Sequence, residues 1–270
     1  MRRKFWPEQK KSLSQVFLQT DWPIHKVVEH LETWKIRRVL EIGPGGGVLT
    51  RALVDAGFNT FAVEKDERFV ERLKEYFQDR ARPNNNRLEI MHRDILQFDL
   101  PEWLERSAEP TAIVGNVPYK ISTPILMWLL PHISKVKGAV FMVQLEFGNR
   151  LAAHHGTKSY GSLSVFAQLR SNVEILCKVD RTCFHPVPKV DSALVTLRPK
   201  ASVPSPEILA QVESLTRGAF SQRRKKLRNA IRTVHTGIDE KDFPLDLDKR
   251  PENVSPEEYV AVAQFLASRR

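Results

Sequence analysis

Cysteine is nearly absent: Cys177 and Cys183 are the only two in 270 residues. Two thiols six positions apart, with no His/Cys cluster at metal-ligand spacing, exclude a disulfide scaffold and a structural zinc site, and read as reduced thiols. The adjacent pair His154 and His155 would point apart on a helix, so no metal is expected there either. No apolar run approaches ~18 residues, which excludes a membrane-spanning helix. The N-terminal stretch MRRKFWPEQKK is basic, but no apolar segment follows it as in a secretory signal. A cytoplasmic protein is therefore expected. Acidic residues are in deficit, 32 against 42 lysines and arginines, for a net charge of +10. That surplus favours a polyanionic partner, nucleic acid foremost, and says nothing about fold. Nothing marks an oligomer interface, so a monomer is expected.

What is present is an ordered alternation. With 41% hydrophobic residues the chain can bury a real core. Short β-compatible runs fall at 39–42 (VLEI), 60–64 (TFAVE), 87–92 (RLEIMH), 111–116 (TAIVGN) and 139–144 (AVFMVQ). Helical patterns separate them: 48–57, closed by Gly57, then Glu67–Phe77, 122–133 and 146–154. Strands alternating with helices imply βαβ units and a mostly parallel sheet. Two late strands, 173–179 and 192–198, bracket the Pro-bearing FHPVPKVD and suggest an antiparallel hairpin at the sheet edge, giving seven strands in all. Residues 199–206 (PKASVPSP) read as a linker, and 207–270 as a small all-helical domain. The Trp residues at 22, 34, 103 and 128 fall in helical patterns and are expected mostly in the core.

EIGPGGG (41–47) lies between a strand and a helix, where glycines permit a tight turn and close approach of a ligand to the backbone. Glu64 ends the next strand, 21 residues after Gly43, where a carboxylate would meet a ribose diol. Asp94 follows the third strand and Asn116 ends the fourth. Polar residues thus stand at the carboxyl ends of successive strands, where open α/β sheets bind ligands. A dinucleotide loop would need Gly at position 48, which is Val48, and a phosphate loop would need Gly-Lys-Ser/Thr. The loop containing Glu41, Gly43, Pro44 and Gly45 instead resembles the S-adenosylmethionine site of Rossmann-like methyltransferases. Asn116-Val-Pro-Tyr119 resembles the [ND]PPY motif of amino-methyltransferases. An adenine amine is a poor nucleophile because its lone pair is delocalised into the ring. The Asn116 side-chain carbonyl and the Pro118 main-chain carbonyl could accept its N–H bonds, while Tyr119 offers a ring for the flipped base to stack on.

Six segments in order make the resemblance closer. KKSLSQVFL (10–18), VLEIGPGGGVLT, NVPYKIST, FHPVPKVDSALV (184–195), AFSQRRKKLRNAI (219–231) and RPENVSPEEY (250–259) are similar to the KsgA-type small-subunit ribosomal RNA adenine dimethyltransferases. That resemblance implies a Rossmann-like methyltransferase domain over 1–198 with an N-terminal arm. It implies S-adenosylmethionine as methyl donor and an assembling small ribosomal subunit as partner. The product would be N6,N6-dimethyladenosine at two adjacent adenosines. By the same resemblance Gln15, Val16 and Leu18 close over the cofactor from the arm, and Gly43, Gly45, Glu64, Asp94 and Asn116 line it. Asn116, Pro118 and Tyr119 hold the target base, and Phe184 stacks on its other face. The chain departs from the family at Val16, where the family has Asn, and at Ser14, Lys120 and Leu145.

Arg217 to Arg232 carries seven basic residues and no acidic one. On one helix Arg224, Arg228 and Arg232 would form a stripe, and Arg223, Arg224, Lys225, Lys226 and Arg228 are expected to contact RNA phosphates. Two alternatives remain at this level. The related macrolide-resistance methyltransferases act on large-subunit rRNA, although their C-terminal region generally lacks QRRKKLRN. An RNA-binding assembly factor without turnover would have Val16 as its support.

Overall fold

The computed structural model describes residues 17–78, 86–234 and 243–269. Two compact units divide the chain, one of residues up to 148 with 174–199, the other of 149–173 with the residues from 200 on.

The first unit is built on a seven-stranded sheet. In chain order β1 (Phe17–Leu18) and α1 (Trp22–Thr33) precede β2 (Arg38–Ile42), α2 (Val48–Asp55), β3 (Asn59–Glu64), α3 (Glu67–Gln78), β4 (Leu88–His92), α4 (Leu100–Glu105) and β5 (Thr111–Asn116). There follow α5 (Ser122–Leu129), β6 (Gly138–Gln144), α6 (Leu145–Leu151), α7 (Ser162–Gln168), which belongs to the second unit, then β7 (Ser171–Val179), β8 (Phe184–His185) and β9 (Ser192–Pro199). The sheet order is β4-β3-β2-β5-β6-β9-β7. β2 through β6 pair in parallel, with Leu40 opposite both Phe61 and Ile113, and β9 runs antiparallel to β6. Every residue of β2 is buried, as expected of a central parallel strand covered on both faces. The chain moves one way from β2 to β3 and β4 and returns on the other side as β5. The carboxyl ends of β2 and β5 therefore flank the crevice where such sheets take ligands.

One face is covered by α1, whose stripe Ile24, Val27 and Leu31 packs on Val39, Val114 and Met142. Trp22 stands two residues before Ile24, off that stripe, and is 44% exposed, contrary to the core position expected for it. Trp34 and Trp103 are buried as expected. The helix expected over 122–133 ends at Leu129 and tightens into a 3₁₀ segment, Leu130–Lys135, because Pro131 has no N–H to continue it.

The second unit joins α7 to α8 (Pro206–Ser221), α9 (Leu227–Val234) and α10 (Pro256–Ala267). Residues 149–173 belong here rather than with the sheet unit, which moves the boundary read from composition. Ala153, Tyr160, Val165 and Leu169 share one apolar cluster with Leu209, Leu215, Leu227, Tyr259 and Leu266. The buried Tyr160 and Tyr259 hydroxyls donate to the Val254 and Pro251 carbonyls at 3.0 and 2.8 Å, so neither leaves an unpaired polar atom in that core. Ser205 and Ser255 cap α8 and α10, each followed by Pro at the first helical position.

Candidate active site

The glycine loop leaves β2 at Ile42. Gly43, Gly45 and Gly47 all have positive φ, +63°, +49° and +73°. At Gly43 an added Cβ would meet nothing within 4 Å, so the position opens on free space. At Gly47 the φ of +73° strains any other residue, and a Cβ there would lie 2.4 Å from Leu73 Cδ2, which would have to move. Below the loop lies a cavity of about 330 Å³, the size of a small-molecule site.

Two carboxyl groups stand at its floor. Glu64 ends β3, is 7% exposed and accepts from two main-chain N–H groups. Gly45 donates to Oε2 at 2.9 Å and Asp66 to Oε1 at 2.8 Å. Burial raises its pKa, and those N–H donors offset part of the rise. Glu41, 1% exposed in β2, is pushed up to about 8, first by burial and further by the Glu64 charge, against some relief from Thr50. Thr50 lies beside it, yet neither its hydroxyl nor Glu41 Oε2 makes a hydrogen bond of normal geometry. Glu41 is thus a buried carboxyl, with no full-geometry partner for Oε2, on a residue that lines the cavity.

At the rim, Asp94 follows β4. Its Oδ1 accepts from Leu96 N–H at 3.1 Å and its Oδ2 from Lys65 Nζ at 2.7 Å. Partial burial works to raise the Asp94 pKa, but the Lys65 hydrogen bond, the Leu96 N–H and the Lys65 charge together lower it. Leu96 is 39% exposed on the same wall.

Asn116 closes β5 opposite Met142, and Val117 N–H donates to the Met142 carbonyl at 3.1 Å, which fixes where NVPY leaves the sheet. Pro118 then starts a 3₁₀ turn. Its carbonyl accepts from Ile121 N–H at 3.0 Å and from the Ser122 hydroxyl at 3.4 Å, so it is already engaged within the turn. That leaves the Asn116 side chain as the acceptor facing a ligand. Val117 is 2% exposed and also lines the cavity. The Tyr119 hydroxyl is hydrogen-bonded to the Ser192 hydroxyl at 2.7 Å. Burial raises the Tyr119 pKa and that bond partly offsets it.

Leu18, Gly43, Gly45, Glu64, Asp94, Asn116, Pro118 and Tyr119 are thus brought to one cavity. Gln15 and Val16 lie outside the described residues. Phe184 does not line the cavity. It has no exposed surface and packs among Val179, Cys183 and Leu194, so the expected sandwich of a base between Tyr119 and Phe184 is not formed in this arrangement. Its β-strand neighbour Leu18, in register with it, reaches the cavity instead. Glu41, Lys65, Val117 and Ser192 complete the site and were not singled out from sequence as site residues. Glu41, Val117 and Ser192 all lie inside recognised segments, EIGPGGG, NVPY and FHPVPKVDSALV, and Lys65 adjoins Glu64, but none of the four was assigned a role there.

The basic segment lies in the second unit and is not one helical stripe. α8 ends at Ser221 and α9 begins at Leu227, which puts Arg224 in the intervening turn. Arg223 is paired with Glu252 and also donates to the Thr157 carbonyl, while Lys226 and Arg228 are both paired with Asp248. Arg224 and Lys225 are exposed.

A mostly parallel seven-stranded sheet, with a glycine loop after β2, a buried acid ending β3 and NVPY ending β5, defines a Rossmann-like methyltransferase. Residues 7–268 match the ribosomal RNA adenine dimethylase family, and the chain belongs to that family. It is 36% identical over 260 residues to the ribosomal RNA small subunit methyltransferase A of Francisella tularensis subsp. novicida, covering 96% of this chain and 97% of that one. Among solved structures, a dimethyladenosine transferase from Plasmodium falciparum superposes with a TM-score of 0.76 at 26% identity, covering 94% of this chain and 98% of that one. The 23S rRNA methyltransferase ErmE follows with a TM-score of 0.68 at 27% identity, covering 93% and 99%.

Proposed function

We propose that this protein transfers methyl groups from S-adenosylmethionine to N6 of two adjacent adenosines in small-subunit rRNA during subunit assembly. The observation that carries this reading is the convergence of the glycine loop, Glu64, Asp94 and NVPY on one cavity.

The residues present suit this methyl donor. It is a cation with a ribose diol and an ammonium group, and two residues with buried carboxyls, Glu41 and Glu64, line the cavity. Open space at Gly43 admits a ligand against the loop backbone. Glu64 keeps lone pairs for the diol beyond those used by Gly45 and Asp66, and Asp94 and Leu96 form the wall for the adenine. When bound, the donor supplies an activated methyl group on a sulfonium sulfur. Everything else falls to the chain. The Asn116 side-chain carbonyl accepts an N–H of the target amine, drawing its lone pair out of conjugation. Tyr119 gives the extruded base a ring to stack on. The nitrogen loses its proton to water after transfer, so no strong base is required. The gain is one of positioning.

On this reading Gln15 and Val16 close over the donor from the N-terminal arm, Val16 without the family's Asn side chain. The second unit grips phosphates: Arg224 and Lys225 directly, and Arg223, Lys226 and Arg228 by exchanging Glu252 and Asp248 for RNA. The enzyme works as a monomer in the cytoplasm, where small subunits assemble. The likeness to ErmE motivates one competing reading, large-subunit rRNA as substrate. Methyl transfer from labelled S-adenosylmethionine to under-methylated small subunits tests both, with large subunits as control. Label recovered as dimethyladenosine in small-subunit RNA, and lost about a hundredfold or more with Asn116→Ala, is the expected result. Label confined to large subunits overturns it.

A further inference from the structure

Tyr119 and Ser192 are 73 residues apart in sequence, yet their hydroxyls meet at 2.7 Å. Ser192 is the first residue of β9 and has no exposed surface. β9 lies beside β6, and β6 beside β5, so the bond reaches from the NVPY turn across one strand to the next. Ser192 is itself held from both sides. It is in register with Gln144 of β6, and its neighbour Asp191 accepts Leu145 N–H at 2.9 Å through its carbonyl. The Asp191 carboxylate is bound by Lys178 at 2.7 Å and by Arg181 N–H at 3.1 Å. At the other end, the Tyr119 backbone begins a 3₁₀ turn closed by Ile121 N–H on the Pro118 carbonyl.

A tyrosine ring held only at its Cα can swing about χ1, which carries its hydroxyl through a wide arc. Here the ring is fixed at two points, its Cα on the turn and its hydroxyl on the sheet. We propose that Ser192 is a positioning residue for methyl transfer: by holding the hydroxyl it fixes the direction of the Tyr119 ring axis, and so where the adenine stacked on that ring lies relative to the Asn116 side chain. The inference rests on the reading of Tyr119 as the stacking surface. It also accounts for the use of tyrosine at the half-buried end of NVPY, where phenylalanine would supply the same ring face with no second anchor. In-line transfer to one nitrogen is sensitive to sub-ångström misplacement, so loss of the anchor acts on turnover more than on binding.

The test is a double-mutant cycle of wild type, Ser192→Ala, Tyr119→Phe and the double variant, assayed for methyl transfer to under-methylated small subunits. S-adenosylhomocysteine affinity and Tm are measured alongside. Each single variant is expected to lower kcat about tenfold, the value of one buried hydrogen bond, with KM for S-adenosylmethionine unchanged within about twofold. The double variant is expected to be no slower than either single one, because both remove the same bond. Independent losses that multiply to about a hundredfold overturn the proposal, as does wild-type kcat in either single variant. Should Ser192→Ala fold poorly, Tyr119→Phe leaves β9 intact and decides alone: a lowered kcat at unchanged Tm and KM supports the anchor, and an unchanged kcat refutes it. A wild-type protein that methylates no small subunit removes the proposed function, and the anchor with it. An active wild type with unaffected variants removes the anchor only.

Discussion

Glu41 allows the strongest quantitative test, because its carboxyl is buried, belongs to a residue that lines the cavity and titrates near neutrality. In the unfolded chain it ionises at about 4.5, and in the folded ligand-free protein at about 8. The folded pKa is raised, so the folded state holds its proton more tightly. Below pH 4.5 both states are protonated and the group has no effect on stability. As pH rises from 4.5 towards 8 the unfolded chain sheds the proton and the folded protein keeps it, so stability falls by about 1.4 kcal/mol per pH unit and levels off above 8. Glu41→Gln removes this cost while keeping the shape, and the new amide can donate to the Thr50 hydroxyl beside it. The variant should therefore gain on wild type by about 3 kcal/mol between about pH 5 and pH 7.5. At roughly 2–4 °C per kcal/mol, that is a relative rise in Tm of about 6–12 °C. The assay is thermal unfolding of both ligand-free proteins across this pH range, with S-adenosylhomocysteine binding in parallel. The same substitution should weaken binding even as it stabilises the fold, since it withdraws a potential anion from a cationic ligand. A difference in Tm that stays flat with pH would refute the reasoning: Glu41 would then be ionised with an unrecognised partner.

Two further outcomes follow from named contacts. Lys65→Met keeps the aliphatic stem but frees Asp94. An exposed ion pair at 2.7 Å makes this a modest effect, a rise in KM for S-adenosylmethionine of about two- to fivefold at unchanged kcat, fading at high salt. Replacing Arg224 and Lys225 together by Ala should flatten the slope of log K for small-subunit binding against log salt by about 1–2, and an unchanged slope would remove them from the phosphate interface.

Much of this protein is written locally. The β-branched runs, their helical intervals and the Pro and Gly punctuation place the strands within a residue or two, because period and turn chemistry are properties of neighbours in sequence. The glycine loop is legible for the same reason: positive φ at Gly43, Gly45 and Gly47 is a demand on single residues. The spacing from Gly43 to Glu64, Asp94 and Asn116 signals a shared site once parallel βαβ units are assumed, since each ends a strand at the same edge. Tertiary structure alone decides what depends on partners far along the chain. It takes Phe184 into the core, because an aromatic before a Pro-rich turn reads the same whether it faces a base or Leu194. It moves residues 149–173 into the helical unit, where Tyr160 and Val165 find the apolar faces of α8 and α10. It breaks the basic stripe by ending α8 at Ser221, and pairs three of its cations with Glu252 and Asp248. It sets Ser192 against Tyr119, two strands away, through a hydrogen bond that no periodicity encodes. Sequence determines which elements form and which residues carry chemistry. Which of them meet is decided by burial and by strand order, and both are properties of the whole sheet rather than of any one segment.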